Sequence, residues 1–194
     1  MKRKLSLPVV LLGTLLLIGG CRTVANYFFP IAPYDQKTSL TNLKMIGLAM
    51  NVYADANRDQ LCNRPGVDGF NLLAYQYIRN FDTFVAPFDS RRDKGTLDIP
   101  MREEQISYAW LGDRLGVPRK EVKTPHSVPI ALEKPWIRTD DVVGVLYLDG
   151  HVGLLGGEFY TCEEVVQRLR GESKEPYWDG IVESARAVDR ARTP

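Results

Sequence analysis

The residues whose types could do chemistry are few. His126 and His151 are the two histidines of the 194-residue chain. His151 stands two residues after Asp149, and a base beside an orienting carboxylate is a pair that acid–base catalysis uses. Both histidines together with Asp140, Asp141 or Glu133 would make a donor set for a metal ion. The plainer reading is that Asp149-Gly150 is a turn in which Asp149 takes positive φ, with His151 an ordinary strand residue beside it. No nucleophile element such as G-x-S-x-G is present. We therefore expect no catalytic residue, no metal ligand and no cofactor. Asp55, Asn57, Asp59 and Gln60 gather oxygen donors of the kind Ca²⁺ takes, but they lack the glycine and distal glutamate of an EF-hand, and a polar loop after a helix is expected. Trp110, Trp136 and Trp178 could stack on sugar rings, although core packing is the commoner use of tryptophan.

The elements that position these residues begin after an address. Lys2, Arg3 and Lys4 precede a run from Leu5 to Ile18 that only Ser6, Pro8, Gly13 and Thr14 interrupt. That is the length of an export signal and short of the roughly 20 apolar residues a bilayer-spanning helix needs. The run closes with Ile18-Gly19-Gly20-Cys21, which resembles the lipobox of bacterial lipoproteins. The resemblance implies residues 1–20 as a signal peptide cut before Cys21, and a diacylglyceryl thioether with an acylated amine on Cys21, holding the protein to a membrane. Arg22 follows where an aspartate would resemble the inner-membrane retention signal, so the outer membrane is expected. Residues 21–37, with Pro30 and Pro33 and no helical period, read as a tether in which Tyr27, Phe28 and Phe29 meet either the membrane interface or the folded body. With Cys21 lipidated, Cys62 and Cys162 are the one possible internal pair in an oxidising compartment; a disulfide and two separate thiols both stay open.

Formal charge is +1, and setting aside the three basic residues of the signal leaves 22 Lys and Arg against 24 Asp and Glu, a net of −2. No basic patch for nucleic acid is expected. The densest charged stretch, Asp89 to Lys94, mixes signs and reads as a solvated loop. Hydrophobic residues make up 44% and charged residues 25% of the chain. That balance describes one globular body.

Ser39 reads as the N-cap of a helix to about Ala56, because Leu40, Leu43, Ile46, Met50 and Tyr53 recur every three or four residues; Met45, Ala49 and Val52 widen its buried stripe. The dense apolar stretch from Gly69 to Phe88 predicts a short helix through Tyr77 and then a brief extended piece. Ile106 to Trp110 reads as an interior strand and Val128 to Leu132, which contains Pro129, as an edge strand. Val142 to Leu155 predicts a hairpin about a type I′ turn at Asp149 and Gly150, with Leu148 opposite His151 and Tyr147 opposite Val152. Thr161 and Glu164 match a capping box opening a helix that Gly171 closes, and a last helix is expected from Asp179 to Arg190.

Four of these segments, in this order, resemble the type II secretion pseudopilin-like proteins of Verrucomicrobia, Lentisphaerae and Planctomycetes. They are Thr41 to Asn57, Phe84-Val85-Ala86-Pro87-Phe88-Asp89, Ser107-Tyr108-Ala109, and the hairpin Val143 to Val152. The resemblance implies an α+β pilin-like head over residues 38–160, its first helix packed on a small antiparallel sheet, with 161–194 a C-terminal helical extension and no catalytic residues. Three positions depart from the family. The apolar run lies before Cys21 and leaves with the signal, Ala86 stands where the family has a cysteine, and Thr139 stands where it commonly has a histidine. The function expected is that of a non-catalytic, membrane-anchored lipoprotein acting through protein contacts in envelope assembly or secretion. The alternative is a cell-surface module that binds polysaccharide.

Overall fold

The computed structural model describes residues 33–90 and 100–192; Cys21, the apolar run before it, Tyr27 to Phe29 and residues 91–94 of the charged stretch lie outside the described residues. Leu43, Ile46, Met50 and Ala54 fall three or four residues apart, so one helix face can bury them all. Helix α1 (Pro33–Ala56) does so completely. It starts six residues before Ser39, a start that proline tolerates in the first turn. Ser39 is therefore not a cap but a buried residue inside the helix, and Pro33 to Lys37 belong to the helix rather than to the tether. Of the three residues expected to widen the buried stripe, Ala49 is buried, while Met45 and Val52 point to solvent.

Helix α2 (Val67–Gln76) follows, and the stretch expected to be extended closes as a single 3-10 turn, Phe81–Phe84, whose N-cap Asn80 accepts the Asp82 amide. Four strands, β1 (Tyr108–Trp110), β2 (Pro129–Glu133), β3 (Val142–Tyr147) and β4 (Val152–Gly156), form one antiparallel sheet in the order β1-β2-β3-β4. The fold class is α+β. β1 is an edge and β2 is interior, the reverse of the expectation from Pro129. The proline is accommodated because it is the first residue of its strand and the register shifts between Pro129 and Ala131.

The hairpin is present with a register one residue from the expected one. Leu146 faces Val152, and the Tyr147 amide donates to the His151 carbonyl at 3.0 Å. The loop is thus the three residues Leu148, Asp149 and Gly150, closed by Gly150 N–H to Tyr147 O at 2.8 Å. Gly150 carries the positive φ of 87°, and Asp149 does not. This is the type I turn followed by a left-handed glycine, not type I′.

Antiparallel pairing puts Tyr108 with Glu133 and Trp110 with Ala131 and Leu146 on one face of the sheet. α1 covers that face so closely that a Cβ on Gly47 would lie 2.7 Å from the Leu146 side chain. Phe70 of α2 packs edge-on to Trp110, ring centroids 6.0 Å apart. The alternate residues Ala109, Ile130, Leu132, Val143 and Val145 are equally buried. Helices α3 (Cys162–Arg170) and α4 (Tyr177–Arg190) pack beside them, α3 against β2 and α4 against β1. The C-terminal extension is therefore part of the same core, contributing Val165, Val166, Ile181, Val182 and Val188. α3 opens with the expected capping box, Thr161 Oγ1 accepting the Glu164 amide at 3.1 Å, and Gly171 at φ 53° ends it. Among the described residues no helix is long and apolar enough to cross a membrane.

Candidate functional site

Two polar clusters and one surface groove surround α1. The first cluster lies between helix and sheet. Glu133, at the end of β2, is fully buried, and its carboxylate accepts Ser39 Oγ at 2.5 Å, the Gly144 amide at 2.7 Å, and Arg138 Nη1. Because Ser39 donates its single hydroxyl proton to Glu133, the Tyr108 phenol is the donor in the 2.8 Å contact with Ser39 Oγ. Burial pushes the Tyr108 phenol well above its ordinary range, so it stays protonated in that role. Arg138 then forks onto Asp140 at 2.6 and 2.8 Å and lies 4.7 Å over the Phe88 ring. The carboxylates of Glu133 and Asp140 are thus occupied by one guanidinium.

The segments that carry the family resemblance meet at this seam. Asn42 of α1 donates to the Val85 carbonyl at 3.0 Å, the Ser107 amide donates to Phe84 O at 3.0 Å, and Ser107 Oγ donates to Asp89 at 2.8 Å. Tyr108 ties the next residue to α1, and Gly144 of the hairpin strand ties back to Glu133. Their visible task is to hold α1 on the sheet. As partners, Glu133 and Arg138 carry one faint local signal, a pair of opposite charges on either side of Pro135.

The second cluster closes the C-terminal end of α1. Arg119 donates to Asp59 Oδ1 from Nε at 2.8 Å and from Nη2 at 2.6 Å, to Asp55 at 2.6 Å and to Asn51 at 2.6 Å. Asp59 also accepts the Lys120 amide on its carboxylate at 2.8 Å and the Arg119 amide on its carbonyl at 2.9 Å. Burial raises the Asp59 carboxyl, but the Lys120 amide and the Arg119 guanidinium outweigh it and hold the group below the ordinary carboxylate range. These contacts fix Arg58 at φ 56° and Asp59 at φ 65°. Residues with a side chain seldom enter that region. Of the groups weighed for Ca²⁺, Asp55 and Asp59 are therefore taken up by the Arg119 guanidinium, while Asn57 turns back to the Tyr53 carbonyl at 2.7 Å. Arg119 stands far along the chain from Asp59 and carries no local signal of the pairing.

Asp149 and His151 do meet. The His151 Nδ1 lies 2.6 Å from Asp149 Oδ1, the His151 amide donates to the same oxygen at 3.1 Å, and the imidazole stacks on Tyr147 with centroids 4.2 Å apart. Against the raising effect of burial, these bonds from His151 hold the Asp149 carboxyl below its ordinary range. Across a shallow groove the pair faces Lys37, Thr41 and Lys44 of α1. Thr41 donates its hydroxyl to the Lys37 carbonyl at 2.9 Å. The groove therefore sets two lysines and an imidazole already bonded to Asp149 around a shallow surface, which suits holding a polar group better than activating a nucleophile. His126 sits exposed on the single turn Pro125–Ser127, apart from this groove. Among the described residues no group of three or more His, Cys, Asp or Glu is arranged to hold a metal ion.

Cys62 and Cys162 are both buried free thiols, not a disulfide. Their surroundings differ. Cys62 lies near Arg64, Asp113 and Asp68, with its carbonyl accepting Trp110 Nε1 at 3.3 Å; Cys162 lies in the field of Asp189, Lys134 and Glu103. Burial raises both thiols above their ordinary range, which keeps them unreactive. The tryptophans form no stacking platform. Trp110 and Trp178 are core residues, and Trp136 is half-buried beneath Arg192, whose guanidinium lies 5.0 Å from the ring centroid. Comparison with protein-family models, with curated proteins and with solved structures finds no match.

Proposed function

We propose that this protein is a non-catalytic lipoprotein, anchored to a membrane by lipid on Cys21, whose pilin-like head acts through protein contacts in envelope assembly or secretion. The observation that carries the reading is one of order along the chain. An apolar run ending in Ile18-Gly19-Gly20-Cys21 is followed, twelve residues on, by a helix laid lengthwise over an antiparallel sheet. The anchor and the head thus stand in the sequence as an address and a body. The pilin-like part of the reading is supported by the meeting of Asn42, the Phe84 to Asp89 segment, Ser107 and Tyr108, and the hairpin strand at one seam. Residues that pseudopilin-like proteins share would then serve the packing of α1, and the head would present surfaces rather than a reaction centre.

The test is chemical crosslinking in native membranes, with tagged protein recovered beside a Cys21→Ser control and its partners identified by mass spectrometry. Secretion or pilus-like components recovered only with the lipidated form are the expected result. Recovery of glycan alone, or of no protein partner, overturns the assembly role in favour of a polysaccharide-binding module.

A further inference from the structure

One face of α1 is covered by no described element. Tyr34, Met45, Leu48 and Val52 fall on a single crest of the helix, at 77%, 47%, 58% and 47% exposure, opposite the buried Leu43, Ile46, Met50 and Ala54. Between Tyr34 and Met45 that line carries the exposed Thr41, so the continuous apolar part is Met45 to Val52, about 10 Å at the helical rise of roughly 1.5 Å per residue. Lys37 and Lys44 stand exposed along one flank, and no described carboxylate is in ion-pair contact with either. Asp55, near the crest's far end, is bound by Arg119. The surface is therefore a short apolar patch with Tyr34 set apart toward the start of the helix, bordered by two lysines and continuing into the groove that faces Asp149 and His151.

We propose that this crest lies on the anionic phospholipid surface to which the lipid on Cys21 holds the protein, with Leu48 at the centre of the contact. The proposal rests on the lipid-anchor reading. Only residues 22–32 separate Cys21 from Pro33. Fully extended, that stretch spans about 40 Å. The length of α1 itself is roughly 36 Å. The head stays within about one helix length of the bilayer, and α1 is the element nearest the anchor. Apolar side chains entering the headgroup boundary with lysines at the rim are the pattern of a helix lying in the membrane interface, and each lysine there is attracted by anionic lipid. A second copy fits less well. An isologous contact would bring two crests together whose charged borders are both cationic.

The test uses the full lipidated chain carrying Leu48→Cys or, on the α3–α4 turn across the sheet, Glu172→Cys. Cys62 and Cys162 are fully buried, so a polarity-sensitive dye reports the introduced thiol. On phosphatidylethanolamine–phosphatidylglycerol vesicles the dye at position 48 shifts to the blue and is quenched by lipid-borne quenchers, while the dye at position 172 is not. Lys37→Glu with Lys44→Glu weakens that insertion about tenfold or more, and phosphatidylcholine vesicles weaken it similarly. Mass analysis of the N-terminal peptide reports the Cys21 lipid in the same preparation. Lipid on Cys21 with position 48 still open to aqueous iodide overturns the crest contact alone. Unlipidated Cys21 overturns both readings. Protection that arises in detergent without vesicles and grows with protein concentration assigns the crest to a second copy and overturns the proposal.

Discussion

Glu133 and Asp59 each hold an arginine with one carboxylate, one inside the protein and one at its rim. The Glu133 and Arg138 side chains are 0% and 1% exposed; those of Asp59 and Arg119 are 21% and 18% exposed. At the inner site every oxygen has a donor, so the desolvation cost of the pair is met by Ser39, Gly144 and Arg138 together. Such a pair is weak evidence of net stability, yet removing Glu133 leaves the Ser39 hydroxyl, the Gly144 amide and Arg138 Nη1 without their buried acceptor, Arg138 keeping only Asp140. At the rim water can replace a lost partner, but the pair does a second job there by holding two residues at positive φ. Depth sets the cost of losing an interaction, and backbone strain sets what the interaction is for.

Breaking the inner pair should have the largest effect. Glu133→Ala is expected to lower unfolding stability by about 3–5 kcal/mol, read by urea titration, because Arg138 and Ser39 lose their buried acceptor. A loss under about 1 kcal/mol would mean that water enters the seam and that depth is not the deciding variable. Asp59→Ala should cost less, about 1–2 kcal/mol, since the site is partly wet. It also has a pH signature. The Asp59 carboxyl is held low in the folded protein, so its contribution is present above the unfolded carboxylate value and is lost as pH falls through the depressed folded value. Asp59→Asn should flatten that acid limb of a stability–pH profile; an unchanged limb would place the acid sensitivity elsewhere. The smallest effect is expected at Gly150→Ala, about 1 kcal/mol by thermal unfolding, from its left-handed φ. The added Cβ there would lie 3.1 Å from Asn51 Nδ2. A neutral result would show that the hairpin loop relaxes independently of α1.

Most of the elements were legible because their signals are local. The periodicity of Leu43, Ile46 and Met50 marked α1, Thr161 with Glu164 marked the start of α3, and Asp149-Gly150 marked a hairpin. What misled was local evidence read for a non-local property. Pro129 argued for an edge strand, but strand order depends on which partners arrive, and a register shift let the proline sit inside the sheet. Met45 and Val52 matched the apolar pattern of α1, yet the sheet reaches only one side of the helix, so the same pattern left them on the crest. The turn type was read from two residues, while the pairing of Tyr147 with His151 made the loop three.

The order of amino acids determined by itself the apolar run ahead of Cys21, the helical and strand periods, and the caps, because each depends on residues within a few positions of one another. Tertiary structure alone decided that Ser39 meets Glu133 across 94 positions, that Arg119 meets Asp59 across 60, and that α3 and α4 join the core. It also decided which apolar residues of α1 stay in water. Burial and ion pairing are set by neighbours in space, and those neighbours exist only after helix and sheet have packed.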